Sequence, residues 1–505
     1  MAVDAAGNVH VIGSFQGSMQ FGAGAGSLNS VGLFDVFFAK YNTSGSLLWA
    51  KRIGAAGVAG GYGIAVDAAG NVFIGGNFNG TVDFDPGPGA KNLTSAGSFD
   101  AFLAKYDDSG ALLWAHAFGA NLFEEARCLA LDTSGNVFIA GIFNGTVDFD
   151  PGPANTALEA AGNSELYLAK YSSAGALLWA RQLEGTGAER VLGMATGIGG
   201  QVYLTGHFED SVDFDPGAGV QSLDALGDAD LFFAQYDAGG ALVWAKSVGG
   251  FFYEEARGIA TDRFGNVYLT GRYGETVDFD PGPGIAELDN AGINDAFFAK
   301  YDADGAFLWA NSIGGDGNDI GNSIAVDSFG QVCVTGQYMN TVDFDPGNDT
   351  SNLSAAGDIE VVFLVGADEA GDVFGEFVAG DIVDEEGDRA EAFAEAGLGD
   401  GDPYGFSKAC ANAYTLLLAR EHPGLRINAC TPGFIETDLT RAYAESSGKS
   451  PAAMGMKPPA EGARAPLFLL FGEPEGNGRY YGSDAQRSPL DRYRAPGSEP
   501  YTGAP

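Results

Sequence analysis

Cysteine and histidine are scarce in this chain, with four residues of each type among 505. The cysteines form no Cys-x-x-Cys motif and are too few for a disulfide framework. The histidines are scattered, so no pair has the spacing of a transition-metal site. The eight residues are Cys128, Cys333, Cys410, Cys430, His10, His116, His207 and His422. The sequence therefore indicates neither a disulfide-stabilised scaffold nor a His/Cys metal centre.

Long hydrophobic runs are also missing. No apolar stretch approaches the roughly 20 residues that a transmembrane helix needs, so we expect no membrane-spanning helix. The first residues, MAVDAAGNVHVIG, contain neither a basic region nor an apolar signal core. We therefore expect no export and predict a cytoplasmic protein.

Basic side chains are few, with 26 Lys and Arg against 67 Asp and Glu and a net charge of −41. Residues 1–403 hold 15 basic and 57 acidic side chains, whereas residues 404–505 hold 11 and 10. A field of this sign repels nucleic acid and anionic membrane. We therefore expect a protein or a small ligand as the partner, and the change in charge indicates two parts with different histories.

Glycine and phenylalanine are abundant instead, with 78 and 36 residues, while charged residues make up only 18%. This composition is typical of tight turns between apolar strands. The phrase AVDAAGNV at Ala2 returns in similar form at Ala65, Ala130, Ala195, Ala260 and Ala325. A tryptophan in a phrase such as GALLWA recurs every 65 residues at Trp49, Trp114, Trp179, Trp244 and Trp309. Six modules therefore occupy roughly residues 1–375.

Each module reads as a short strand (GIAVD), a strand (NVFIGGNF), a short strand (TVDFD), a variable loop and a hairpin of DAFLAKYD with ALLWAHAF. Such a unit has an apolar face that it cannot cover alone, and radial packing of like sheets is the usual solution. We therefore predict a mainly β fold, a six-module β-propeller with four-stranded blades. An open solenoid is the alternative, and the sixth module is imperfect, with Phe374 at the tryptophan position.

The repeated sequence of the modules over residues 1–375 resembles that of the bacterial-type β-propeller repeat families of extracellular and surface proteins. That resemblance implies the fold and leaves the activity open, because propellers include enzymes, ligand binders and interaction platforms.

The phrase VDFDPG recurs in modules two to six, while module one has Gln20 and Gly22 at its aspartate positions. Two aspartates at i and i+2 of a strand point to one face, and with the carbonyls of the Pro-Gly turn they could bind calcium. The alternative, which we favour, is that the second aspartate opens the turn and the first faces solvent. The candidate calcium ligands are Asp83, Asp85, Asp148, Asp150, Asp213, Asp215, Asp278, Asp280, Asp343 and Asp345.

Two similar segments, FEEAR from Phe123 to Arg127 and YEEAR from Tyr253 to Arg257, lie 130 residues apart. Their acidic and basic side chains favour salt bridges between modules. A role in lining one rim of the ring is the second interpretation.

The pattern changes near residue 376, where an acidic Ala/Glu-rich stretch over residues 376–401 indicates either a linker or an amphipathic helix. Beyond it, YGFSKACANAYTLLLARE predicts a helix that ends at His422-Pro423-Gly424. RINACTPGF predicts a buried strand, ARAPLFLLF a second helix and GRYYGS another strand. Residues 402–505 therefore read as a partial α/β, Rossmann-like fragment with a Pro/Gly-rich tail.

Residues 402–487 resemble the C-terminal half of the short-chain dehydrogenase/reductase family, closest to its carbonyl-reductase-like members. The resemblance rests on the Tyr-x-x-x-Lys of Tyr404 and Lys408, the stretch NACTPGFIETDLT from Asn428 and the closing GRYYGSDAQ. It implies NADP as cofactor and two catalytic residues: Tyr404 as the general acid and Lys408, which lowers the phenol pKa and holds the cofactor ribose. It also implies a cofactor-binding segment, in which the residues that meet the nicotinamide are Pro432, Gly433 and Thr437.

The family's Gly-rich turn and catalytic serine would lie upstream of Tyr404, where this chain has the repeats, and no serine occurs between Ser354 and Ser407. Three functions therefore stay open. The first is a non-catalytic propeller scaffold fused to an incomplete reductase fragment. The second is an NADP-dependent carbonyl reductase whose missing half another chain supplies. The third is a calcium-dependent ligand-binding propeller.

Overall fold

The chain divides into two compact units, Met1–Ile382 and Val383–Pro505. The computed structural model describes residues 1–344 and, beyond them, the backbone of six short strands; within 1–344 it leaves out 22–25, 55–56, 162–163 and 328–329. Every regular element among these residues is a β-strand. No helix there has the length and hydrophobicity to cross a membrane.

The first three modules have six strands each. Module 1 contains β1 (Ala2–Val3), β2 (Val9–Phe15), β3 (Ser18–Gln20), β4 (Ser27–Asn29), β5 (Asp35–Tyr41) and β6 (Leu47–Ile53). Module 2 contains β7 (Ala59–Val66), β8 (Val72–Phe78), β9 (Thr81–Asp83), β10 (Asn92–Thr94), β11 (Asp100–Tyr106) and β12 (Leu112–Phe118). Module 3 contains β13 (Glu125–Leu131), β14 (Val137–Phe143), β15 (Thr146–Asp148), β16 (Ala157–Glu159), β17 (Glu165–Tyr171) and β18 (Leu177–Gly185).

The next three modules repeat this order. Module 4 contains β19 (Glu189–Thr196), β20 (Val202–Phe208), β21 (Ser211–Asp213), β22 (Ser222–Asp224), β23 (Asp230–Tyr236) and β24 (Leu242–Val248). Module 5 contains β25 (Glu255–Thr261), β26 (Val267–Tyr273), β27 (Thr276–Asp278), β28 (Glu287–Asp289), β29 (Asp295–Tyr301) and β30 (Phe307–Gly315). Module 6 contains β31 (Ile320–Val326), β32 (Val332–Gln337), β33 (Thr341–Asp343), β34 (Asn352–Ser354), β35 (Val365–Ala367) and β36 (Val373–Phe374).

The first, second, fifth and sixth strands of a module form one antiparallel sheet, as in the order β7-β8-β11-β12. Modules 1 to 5 therefore give five complete four-stranded blades, and the predicted mainly β propeller architecture is confirmed at this level. In module 6 the same order recurs with shorter strands, β31-β32-β35-β36.

The third and fourth strands of each module form a short hairpin, as Thr81–Asp83 does with Asn92–Thr94. In modules 1, 2, 3 and 5 this hairpin is a separate two-stranded sheet, whereas in modules 4 and 6 it also pairs with the last strand of the preceding module. The sequence predicted only one short strand here, TVDFD, so the number of strands per module was wrong. The strand also ends at Asp83, and Asp85 lies in the turn, because the following Pro86 has no N–H to contribute to a ladder.

Among the described residues, the apolar core is divided into five clusters, one at each boundary between successive modules. At the first boundary, for example, the rings of Phe38 and Tyr106 lie 4.6 Å apart between their centroids. The phenylalanine of VDFDPG belongs to these clusters. Phe84, for example, is fully buried, and its ring centroid lies 5.0 Å from that of Phe102. Each blade therefore depends on its neighbour to bury its apolar faces.

The tryptophans of modules 1 to 4 each bind their module to the next. Each of the first four donates its indole N–H to a backbone carbonyl 59 residues later, in the turn between the fifth and sixth strands of the following module. The N···O distances are 3.0 to 3.3 Å. The donor and acceptor pairs are Trp49 with Asp108, Trp114 with Ser173, Trp179 with Ala238 and Trp244 with Ala303.

Buried lysines reinforce two of these contacts. Lys170 forms an ion pair with Asp132 of its own module, at 2.9 Å, and donates to the Ala238 carbonyl at 3.4 Å. That carbonyl also accepts the indole N–H of Trp179 at 3.2 Å. A charged lysine is tolerated in this buried position because it has both an acidic and a carbonyl partner.

The described backbone of the C-terminal unit consists of β37 (Asn428–Cys430), β38 (Arg479–Tyr481) and β39 (Arg487–Ser488). The first two lie where the sequence predicted strands, and they pair in parallel, with Ala429 opposite Tyr480. Parallel pairing needs a long crossover connection, which agrees with α/β alternation. The helices predicted for this unit lie outside the described residues.

Replacing one tryptophan tests the contact between modules. Trp179→Phe should lower the free energy of unfolding by about 1 kcal/mol, because the Ala238 carbonyl loses one of its two donors while an aromatic ring is retained. Urea unfolding followed by circular dichroism would measure the change. The matched control is Leu178→Thr, since the adjacent Leu178 is half exposed and its replacement should alter stability by less than about 0.5 kcal/mol. Equal losses in both variants would contradict the tryptophan's role.

Candidate functional site

The first strand of each module from 2 to 6 contains a β-bulge at the same place. In module 3, the pairing of β13 with β14 shifts between Ala126 and Cys128, which leaves the intervening Arg127 without a partner residue. A bulge changes the direction of its side chain and is frequent beside functional sites. The five bulged residues are Tyr62, Arg127, Leu192, Arg257 and Asn322. Modules 2 to 6 therefore share the same backbone conformation at the bulge but carry different side chains there.

Side chains at and beside the bulges make contacts across module boundaries. The guanidinium of Arg127 lies 4.8 Å from the ring centroid of Tyr62 in module 2. Arg190 of module 4 forms an ion pair with Glu125 of module 3, at 3.3 Å between Nη1 and Oε1. The salt bridge between modules that the FEEAR segment predicted is therefore present.

A second group of contacts surrounds the buried carboxylate of Glu255. Arg257 donates to Glu255 Oε1 from Nε at 2.7 Å, and the Nε of Arg272 lies 2.9 Å from the same oxygen. His207 Nδ1 lies 3.6 Å from Glu255 Oε2, and Tyr253 Oη lies 2.8 Å from His207 Nε2. One carboxylate thus organises two guanidinium groups, an imidazole and a phenol.

Neither the imidazole nor the phenol of this group titrates near neutral pH. Burial, together with the nearby guanidinium groups, lowers the pKa of His207 to about 4. Burial and the Glu255 carboxylate raise the pKa of Tyr253 to about 12. Because general acid–base catalysis works best with a pKa near the working pH, this arrangement suits binding better than proton transfer.

Exposed apolar side chains flank the same strands. Leu122 precedes β13, and Phe251 and Phe252 precede β25, with Phe251 83% exposed. We call the combined area the bulge surface and define it by Tyr62, Leu122, Arg127, Arg190, Phe251, Phe252, Arg257 and Asn322. Arginine beside exposed aromatic groups is the composition that protein interfaces favour.

The aspartates of VDFDPG hold the hairpin turn together. Asp213 Oδ1 accepts the backbone N–H groups of Asp215 and Gln221, at 3.0 and 2.8 Å. Asp215 Oδ1 accepts the N–H of Gly217 at 2.8 Å. The same contacts occur at Asp83 and Asp85, Asp148 and Asp150, and Asp278 and Asp280.

The second aspartate caps the Pro-Gly turn, as the favoured interpretation of the sequence expected. The first does more than face solvent, because its carboxylate accepts two backbone N–H groups of the hairpin. Asp343 lies in β33, and Asp345 lies outside the described residues. Within the part of the chain that the structure describes, no group of three or more His, Cys, Asp or Glu is placed to hold a metal ion. Calcium binding by these aspartates stays a prediction.

The residues predicted from the reductase resemblance lie outside the described residues. They are Tyr404, Lys408, Pro432, Gly433 and Thr437. Of the segment that carries them, the structure gives only the backbone of β37, which ends at Cys430. Their roles stay predictions.

Sequence reasoning did not identify the bulge surface, although part of the signal was present. Aligning the modules at a spacing of 65 residues places Tyr62, Arg127, Leu192, Arg257 and Asn322 in one column. The neighbouring positions in that alignment are more uniform. A column of unlike residues between uniform ones would have indicated the site.

Comparison with known protein families found no family model that matches the chain. Among curated proteins, it is 23% identical over 367 residues to the uncharacterized WD repeat-containing protein L264 of Acanthamoeba polyphaga mimivirus, covering 59% of this chain and 26% of that protein. It is 27% identical over 274 residues to the regulatory protein FlaEY of Caulobacter vibrioides, covering 51% and 27%. These similarities agree with propeller-type repeats, and the chain spans about a quarter of the length of these relatives.

A shorter similarity is 39% identity over 62 residues to (+)-neomenthol dehydrogenase of Arabidopsis thaliana, covering 12% of this chain and 21% of that protein. Among solved structures, Sqt1 of Chaetomium thermophilum is 10% identical and has a TM-score of 0.34, with 72% of this chain and 93% of that one covered. The β-propeller domain of Swd1 (Cps50) from Myceliophteria thermophila is 6% identical with a TM-score of 0.31, covering 72% and 97%. At these TM-scores, neither structure adds evidence on function.

Paired replacements of one hairpin aspartate separate the structural role from calcium binding. Asp213→Asn keeps an oxygen for the two N–H donors and should change the free energy of unfolding little. Asp213→Ala leaves both donors without a partner and should lower it by about 1–2 kcal/mol. Thermal unfolding with and without calcium would measure both effects. A calcium-dependent stabilisation that is lost in Asp213→Asn would instead support a metal site.

Proposed function

We propose that this chain is a non-catalytic β-propeller that acts as a binding scaffold, with its partner held on the bulge surface. The observation that carries the proposal is the divergence of the bulged residues in an array whose backbone repeats. The modules repeat the same core, and the first four also repeat the tryptophan contact to the next module. Neither feature requires Tyr62, Arg127 and Arg257 at equivalent positions, so these side chains are free to serve recognition.

The charge of the chain makes this surface distinctive. Residues 1–403 contain only 15 basic side chains, and three of these are Arg127, Arg190 and Arg257 of the bulge surface. A guanidinium group offers several directed donors and stacks on aromatic rings, which suits contact with a protein partner. We therefore favour a protein partner with acidic and apolar groups.

Module 6 completes the array in this proposal. Its strand order, β31-β32-β35-β36, matches that of the five complete blades and supports a sixth blade. A ring of six blades would present the first strands of all modules toward its centre, as in other propellers.

The C-terminal part would then be an incomplete fragment of a short-chain dehydrogenase/reductase. The parallel pairing of β37 with β38 and the similarity to (+)-neomenthol dehydrogenase both support that origin. They also support the second candidate, an NADP-dependent carbonyl reductase that uses Tyr404 and Lys408. We favour the scaffold over the reductase because cofactor binding needs a Gly-rich turn between a strand and a helix, and the sequence before Tyr404 contains no such turn.

Two replacements on the bulge surface test the scaffold proposal. A partner captured with the intact chain should be purified and its affinity measured by calorimetry. Arg127→Ala combined with Phe251→Ser should weaken binding at least about tenfold, or about 1.4 kcal/mol, because Phe251 is exposed, Arg127 is partly exposed and neither belongs to a core cluster.

A similar arginine and aromatic pair lies elsewhere and provides the control. Arg263 lies 4.7 Å from the ring centroid of Phe264 in the turn after β25. Arg263→Ala combined with Phe264→Ser should leave the affinity unchanged. Equal weakening by both double variants would place the binding site elsewhere on the blades.

NADPH titration distinguishes the scaffold from the reductase. The scaffold predicts no saturable binding of NADPH to the full-length chain up to millimolar concentration, measured by cofactor fluorescence. Saturable binding that Tyr404→Phe or Lys408→Ala reduces, and that Lys457→Ala leaves intact, would contradict it and favour the reductase. Lys457 is a suitable control because it lies outside the Tyr-x-x-x-Lys motif.

A further inference from the structure

Buried carboxyl groups occur in pairs at four successive module boundaries, from modules 2 and 3 to modules 5 and 6. One member opens the fifth strand of a module, and the other lies at the entrance to the first strand of the next module. The pairs are Asp100 with Glu124, Glu165 with Glu189, Asp230 with Glu254, and Asp295 with Asp319. All eight residues are at most 3% exposed.

In three of the pairs, both carboxyl groups meet the same dipeptide at the end of the sixth strand. At the boundary of modules 4 and 5, the Asp230 carboxyl packs against Gly249 so closely that a Cβ there would overlap it. Glu254 Oε2 accepts the N–H of the next residue, Gly250, at 2.7 Å. The same arrangement recurs at Gly119–Ala120 and at Gly314–Gly315. The members of a pair are therefore neighbours.

No cation balances these carboxyl groups within the described residues. None of the eight takes part in an ion pair with a lysine, arginine or histidine there. Apart from their partners, the charged groups that face them are other carboxylates, Glu209 beside Glu189 and Asp228 beside Glu254. Two ionised carboxylates buried together without a counter-charge would be strongly unfavourable.

Several oxygens of the pairs also have no hydrogen-bond partner. These are Oε1 of Glu124, both carboxyl oxygens of Glu189 and Oδ1 of Asp295. The partners that are present are mainly backbone N–H donors, such as those of Ala96 and Ala120, rather than carbonyl oxygens. A metal ion would need additional oxygen ligands, whereas a proton needs only one carboxyl oxygen to hold it.

The first boundary provides an internal comparison. Ala59 occupies the position equivalent to Glu124, so the second carboxyl group of the pair is absent there. The remaining carboxylate, Asp35, instead forms an ion pair with Arg52 at 2.7 Å. At this boundary an arginine neutralises the single buried carboxylate, whereas at the other four boundaries a second carboxyl group is present and the arginine is absent.

We propose that each of the four carboxyl pairs binds a proton, so that modules 2 to 6 hold together more firmly in mildly acidic than in mildly alkaline solution. The bound proton removes one buried charge and turns a carboxyl group into a hydrogen-bond donor for its neighbour.

The direction of the pKa shifts agrees with this arrangement. Burial, with a further contribution from the neighbouring carboxylate, raises the pKa of Glu124 and Glu254 to about 7 and that of Glu189 to about 8. The same causes raise the pKa of Asp319 to about 6. The folded chain thus keeps protons that the unfolded chain releases near pH 4.5 from glutamate and near pH 3.8 from aspartate, so stability falls as the pH rises from there through 6 to 8.

The test is the pH dependence of unfolding of the full-length chain, measured by urea titration between pH 5 and pH 8.5. The unfolding equilibrium constant should increase by about tenfold or more per boundary as the pH rises, since one unit of pKa shift is a tenfold factor. A variant with Glu124→Gln, Glu189→Gln, Glu254→Gln and Asp319→Asn imitates the protonated state. Its stability should fall much less steeply than that of the wild type over this range; a smaller slope remains because burial also raises the pKa of Asp230 to about 6.

A matched variant controls for the high overall negative charge. Glu159→Gln, Asp224→Asn, Glu287→Gln and Asp289→Asn neutralise four exposed carboxylates, and this variant should keep the slope of the wild-type profile. Parallel pH profiles for the wild type and the buried-site variant would overturn the proposal. So would calcium chloride that restores stability at pH 8 in the wild type but not in the buried-site variant, because the pairs would then be cation sites.

Infrared spectroscopy gives a second readout that does not depend on stability. The wild type at pH 5.5 should show the C=O stretching band of protonated carboxylic acids, and this band should disappear as the pH is raised to 8.5. The absence of a pH-dependent band while the chain stays folded would also overturn the proposal.

Discussion

No module of this chain can bury its own apolar faces, and the rest of the structure follows from that constraint. The five core clusters lie at the boundaries between modules, and each is shared by two successive sheets. The tryptophan contacts, the buried lysines and the carboxyl pairs occur at the same boundaries. Specific polar interactions are therefore concentrated where the hydrophobic effect already holds two blades together. Among them, the buried lysines and carboxyl pairs have little exposure to water, which makes their interactions strong.

The sequence predicted the blades well because their signals are local and repeated. Alternating apolar strands, glycine turns and tryptophans spaced by 65 residues identify the four-stranded sheets without knowledge of their partners. The second strand of the hairpin was missed because three residues, such as Asn92–Thr94, are too short to show a periodic pattern in a variable loop. Short elements depend on the strand with which they pair, which the sequence does not reveal.

The candidate site was harder to predict for a related reason. The bulge at Arg127 exists because β13 and β14 pair out of step by one residue, and a single strand gives no indication of its partner's register. The carboxyl pairs present the same difficulty. Glu124 and Asp100 are 24 residues apart in the sequence, and ordinary acidic residues at such positions are solvated. Only the packing of one blade on the next buries both.

The tryptophan contact has a direction, and that direction bears on how the array evolved. The indole of Trp114 belongs to one module and the carbonyl of Ser173 to the next, so modules 2 to 4 each present a donor on one side and an acceptor on the other. Such head-to-tail surfaces can join any number of units. An unequal genetic exchange that adds or removes one 65-residue unit therefore regenerates an intact junction, whereas one that adds or removes part of a unit does not. Copy number is thus easy to change within this gene, while the length of a unit is strongly constrained.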